Sequence, residues 1–205
     1  SGASAWCRTT SVQSHPAYDE CKLAGAATPC WTEGIPIAWR RTCIPYKVSP
    51  RAAVDPATGK ATIPRTEVPY DRVLEIIEQS FGAWIEVECD GAPIDLQITR
   101  VENQTADYDY WYEEEDLSGM SSILFVNDWA ERDNSSDEFA LTSVLFDAET
   151  GEILWATMEI NEQFGTWADC CPSLTGACSE EEAYYCDAHD LVDFRNVLTH
   201  EIGHC

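Results

Sequence analysis

Ten cysteines in 205 residues constrain this chain more than any other feature. A cytosolic protein of this size rarely carries so many outside metal clusters. No C-x-x-C pair occurs, which argues against a metal ribbon or a thioredoxin-like dithiol. Cys7, Cys21, Cys30 and Cys43 sit near the start, Cys170, Cys171, Cys178 and Cys186 precede the final segment, and Cys89 and Cys205 stand apart. The even count and the grouping read as a disulfide framework formed in an oxidising compartment, hence an extracellular or secreted protein. Two local clusters of four plus a long-range Cys89–Cys205 bridge is the simplest arrangement, although sequence leaves the connectivity open. The adjacent Cys170 and Cys171 are expected to bridge to different partners, because a vicinal disulfide is strained.

The length suits one well-cored domain with a small appendage. The chain is 44% hydrophobic with eight Trp, so it can build a core. Its net charge of −25 and pI near 4.2 argue against nucleic-acid binding and against attraction to anionic membranes. That charge reads as solubility in an extracellular setting. No signal peptide or membrane-spanning run is present, as expected of a mature, processed chain that does not insert into a membrane.

Two parts follow from the patterning. Residues 1–42 are rich in Ser, Ala, Thr, Pro and Cys without periodicity, and read as an irregular cap stapled by disulfides. Residues 43–205 carry the regular elements. CIPYKVS (43–49) reads as a strand. In residues 69–87, Val73, Ile77, Phe81 and Trp84 recur at helical spacing, with Pro69 suited to the helix start. IDLQITRV (94–101) alternates as a half-buried strand, and SSILFVND (121–128) is a short apolar run suited to a central strand. ALTSVLF (140–146) and EILWATMEI (152–160) flank DAETG, a hairpin signal. A final helix is predicted over 190–205, capped by Asp190. Strand, helix, several strands, helix is the order of an α+β domain on a mixed sheet.

That last segment ends LTHEIGHC. His200, Glu201 and His204 spell H-E-x-x-H, in which i, i+4 spacing sets two imidazoles side by side on one helical face. Imidazole nitrogen suits zinc, and a glutamate beside the first histidine reaches a zinc-bound water rather than the metal. The bland alternative is a terminal amphipathic helix with two solvated histidines.

Here the chain resembles the metzincin zinc metallopeptidases, in particular the secreted, bacterial-type matrixin-like enzymes. The resemblance rests on AWIEVECDGAPIDLQITRV (83–101), on LTSVLFDAETGEILWATMEIN (141–161) and on VLTHEIGHC (197–205), and it covers about 43–205. It implies a metzincin-like N-terminal subdomain: a twisted mixed sheet, a long backing helix and a long active-site helix. It implies a secreted zinc endopeptidase with Zn2+ on His200 and His204, Glu201 as general base, and a protein or peptide substrate. It also implies that Ala156, Thr157, Met158, Glu159 and Ile160 form an exposed edge strand that binds the substrate antiparallel by β-augmentation. The family pattern continues to a Gly, a third His and a Met-turn, which are expected beyond Cys205. Within the chain, only His189, His15 and Asp187 could substitute as the third ligand. No segment resembles the inhibitory cysteine motif of matrixin propeptides, so no cysteine switch is assigned.

Two acidic stretches, ERDNSSDE (131–138) and DYDYWYEEED (107–116), are candidate Ca2+ loops, though neither has helix–loop–helix calcium spacing and both read better as solvated loops. Two other functions compete with the enzyme. One is a non-catalytic peptide-binding module on a metzincin-like scaffold. The other is a disulfide-rich structural protein with an accidental motif.

Overall fold

The computed structural model describes residues 11, 34–49, 68–89, 92–105, 120–126, 128–170, 186, 188–189 and 191–204. Most of the 1–42 cap, His15, Asp187 and the 107–116 acidic stretch lie outside the described residues.

The core is a five-stranded mixed sheet. Strand β1 (Cys43–Val48) leads to helix α1 (Tyr70–Ile85). Two short strands, β2 (Glu88–Cys89) and β3 (Ala92–Pro93), pair antiparallel before β4 (Gln97–Thr105). Then come β5 (Ser121–Val126), β6 (Ala140–Phe146) and β7 (Ile153–Asn161). The sheet order is β4-β1-β5-β7-β6. The first four strands in that order run parallel and β6 antiparallel to β7. Helix α1 is the crossover that two parallel neighbours, β1 and β4, require. A separate pair, β8 (Thr166–Ala168) and β9 (Leu191–Asp193), precedes helix α2 (Phe194–Ile202). The expected α+β fold with a mixed sheet and two helices is present at this level.

Helix α1 forms where the apolar spacing places it. Pro69 takes the N-cap with φ −62°, and its carbonyl accepts from the Val73 amide at 3.0 Å. Its inner stripe, Val73, Ile76 and Ile77, packs with Tyr46, Ile123, Phe125, Met158 and Ile160 from the sheet. Burying such side chains contributes roughly 1.5–3 kcal/mol each. β5 is apolar from Ile123 to Val126 because that part is covered on both faces. Ile123 and Phe125 meet the helices, while Leu124 and Val126 pack on Trp129 from the 3-10 turn Trp129–Arg132.

The hairpin between β6 and β7 closes at Asp147, whose Oδ1 accepts from the Glu149 and Thr150 amides at 2.8 Å each. Gly151 lies at φ +74°, and a Cβ there would stand 2.3 Å from the Pro36 carbonyl oxygen. The segment before β1 is strapped over this turn: the Ala38 amide donates to Gly151 O and the Ile153 amide to Ala38 O, both at 3.0 Å. Residues 34–42 therefore already pack on the domain.

Three expectations change. The final helix is nine residues long and starts at Phe194, not at 190. Leu191 and Val192 are drawn into β9 by pairing with Thr166 and Trp167, and Asp193 caps the helix in place of Asp190. The strand 156–160 is not an edge. β7 is hydrogen-bonded to β5 on one side and β6 on the other, and Ala156 to Ile160 are all buried. The expected hairpin is present, and its outer arm is β6. Finally, Cys43 is an exposed free thiol rather than a member of the first disulfide cluster. Cys170 is bonded to Cys186, a non-adjacent partner as expected for one of two vicinal cysteines. The Cys89 and Cys205 side chains lie outside the described residues.

Candidate metal centre

Helix α2 presents the H-E-x-x-H residues. Asp193 Oδ1 accepts from the Arg195 amide at 3.1 Å, satisfying one of the unpaired donors of the first turn. Burial raises the Asp193 carboxyl above its ordinary value, and the Asn196 and Arg195 amides pull it back. Phe194, Leu198, Glu201 and Ile202 face inward. Phe194 meets the edge of Trp167, with ring centroids 5.7 Å apart, and Trp167 donates its indole hydrogen to Asn161 O at 3.1 Å. The N-terminus of α2 is thereby tied to the end of β7.

The other end is held by α1. Trp84 Nε1 donates to Thr199 O at 2.7 Å. Gly203 follows the helix as its C-cap, and its amide donates to His200 O at 3.0 Å. The His204 amide donates to Glu201 O at 3.0 Å, so the last turn tightens but keeps His204 one turn beyond His200.

The two histidines are exposed and Glu201 is buried. Nε2 of His200 and Nε2 of His204 are 3.1 Å apart. The ligand atoms of His200, Glu201 and His204 all lie within 4.8 Å of one another, and these residues are the one group of that kind among the described residues. Two nitrogens of a tetrahedral zinc site stand about 3.3 Å apart, given Zn–N bonds of about 2.0–2.1 Å. The imidazole pair is thus spaced as zinc needs. The same spacing is that of a hydrogen bond between a protonated and an unprotonated ring nitrogen.

Glu201 is also paired. The Thr142 hydroxyl lies 2.8 Å from Glu201 Oε2 and 3.2 Å from Glu201 O. β6, with Thr142, therefore lies against the zinc-motif helix. Sequence reading missed this residue. Its signal was the alternation in ALTSVLF, where Ala140, Thr142 and Val144 share one face and Ala140 belongs to the core.

His189 is exposed and stands outside the His200–Glu201–His204 group. In the 131–138 stretch the carboxylates make local bonds: Glu138 Oε2 accepts from the Ser135 amide at 3.2 Å, and Asp137 Oδ1 from the Ser136 hydroxyl at 3.5 Å. Behind them Arg132 bonds Asp128 Oδ1 at 2.9 Å and Glu159 Oε1 at 2.5 Å. Glu159, expected to touch substrate, instead serves this buried ion pair on the far face of the sheet. No family model, curated protein or solved structure matches the chain.

Proposed function

We propose that this chain is the zinc-binding part of a secreted, metzincin-like endopeptidase, with His200 and His204 as metal ligands and Glu201 as general base. The observation that carries this reading is the convergence of two imidazole nitrogens, 3.1 Å apart on an exposed helical face, above a buried carboxylate. Zinc bound there supplies a Lewis acid and a water of lowered pKa. The chain's own residues do the rest. His200 and His204 bind through Nε2. Glu201 stays off the metal and takes a proton from the attacking water. The substrate, an extended peptide, pairs with β6, the last strand of the sheet among the described residues. This moves the substrate strand from 156–160 to 140–146. The cysteine framework and the acidic surface support secretion. Among the described residues, no helix is long and apolar enough to cross a membrane.

The test is metal content measured beside cleavage of an unfolded protein substrate. With a third protein ligand supplied, the protein holds zinc tightly and cleaves, whereas these 205 residues alone bind zinc weakly and cleave little or nothing. Glu201→Gln holds zinc and is inert, and His200→Ala loses both. A protein that holds zinc through both histidines yet cleaves nothing is instead a peptide-binding module built on the same strand.

A further inference from the structure

We infer that Thr142 is a positioning residue for Glu201, fixing which carboxylate oxygen is available to accept a proton. This rests on the endopeptidase reading above.

The geometry starts from β6. Thr142 pairs with Met158, and Met158 faces the helix-side core. The pleat therefore turns Thr142 toward α2. A β-branched side chain is stiff at χ1, so its hydroxyl is held where the strand puts it. That hydroxyl has one proton to donate and two acceptors in reach, Glu201 Oε2 at 2.8 Å and Glu201 O at 3.2 Å. The shorter, charge-assisted contact takes it. Oε2 is thereby committed to the sheet. Among the described residues no group hydrogen-bonds Oε1, which remains for the proton that the reaction releases. Glu201 as a residue is only 7% exposed, a carboxylate in such a place is costly to leave without a donor, and Thr142 is the donor supplied. Because β6 is also the strand proposed to pair with substrate, the same strand sets the register of the substrate and the aim of the base.

Two variants separate positioning from packing. Thr142→Val keeps the shape and removes the donor, while Thr142→Ser keeps the donor. In the zinc-loaded protein, Thr142→Val lowers kcat on the order of ten- to a hundred-fold, with KM and zinc content near wild type. Thr142→Ser restores most of kcat. An independent readout uses the metal-free chain: the Glu201 carboxyl carbon resonance, assigned by its loss in Glu201→Gln, shifts in Thr142→Val and returns in Thr142→Ser. An unshifted resonance overturns the hydrogen bond itself. A kcat unchanged in Thr142→Val overturns the positioning role. If the protein with its third ligand supplied holds zinc and still cleaves nothing, the endopeptidase reading falls and the role with it, while the resonance still reports the contact.

Discussion

Trp84 donates its indole hydrogen to the carbonyl oxygen of Thr199 at 2.7 Å, one residue before His200. The backing helix thus grips the zinc-motif helix at the turn that carries both histidines. The grip is close: a Cβ on Gly203 would stand 2.5 Å from Trp84 Cζ2.

Gly203→Ala therefore forces the indole or the helix end to move. It should destabilise the fold by about 1–3 kcal/mol, as overpacking in a well-filled site does. Denaturant unfolding measures this, and a neutral substitution would show that the two helices are packed more loosely than described.

Arg132 and Glu159 form a pair that is nearly closed to solvent, with side chains 9% and 7% exposed. Burial raises the Glu159 carboxyl above its ordinary value, and the Arg132 guanidinium opposes that rise. Removing one partner leaves the other charge buried and unpaired, so Arg132→Met should cost about 3–5 kcal/mol. The double variant Arg132→Met, Glu159→Leu should recover much of that loss. Additive losses in the double-mutant cycle would mean that the two groups are not coupled.

Both carboxylate oxygens of Glu162 are buried without a hydrogen-bond partner among the described residues, and burial pushes its pKa up to about 8 from 4.5. Between those values the folded chain keeps a proton that the unfolded chain releases. Stability from this group is therefore complete below about 4.5 and falls as pH rises, by about 1.4 kcal/mol per unit at most, levelling above about 8. Glu162→Gln removes that slope. Parallel stability curves for the two proteins across this range would place Glu162 in contact with water.

Cys43 is exposed and free, which leaves an odd nine of the ten cysteines. Within these 205 residues at least one further cysteine then has no intrachain partner. Titration under non-reducing, denaturing conditions should count two or more thiols, and Cys43→Ser should lower the count by one. A count of zero would restore the fully paired framework expected from sequence.

The elements legible in the sequence were those whose pattern is local. α1 announced itself through Val73, Ile77, Phe81 and Trp84, β5 through an unbroken apolar run, and the β6–β7 hairpin through DAETG. What failed depended on distant partners. The arms of the hairpin alternate alike, and only pairing with β5 makes β7 interior. Leu191 fits the helical stripe of α2 as well as it fits a strand, and pairing with Thr166 decides between them. The spacing that groups His200, Glu201 and His204 was legible in the sequence alone. Thr142 was not, because its role depends on a contact with Glu201 across 59 positions of sequence.

The central claim is that His200 and His204 hold one metal between them while Glu201 does not bind it. Cobalt(II) titration followed by visible absorption tests it most directly, because cobalt reports its ligand set in a zinc-type site. The account predicts one cobalt per chain, bound weakly when only two protein ligands contribute, with bands lost in His200→Ala and in His204→Ala and kept in Glu201→Gln. Bands that survive either histidine substitution, or that vanish in Glu201→Gln, would contradict it.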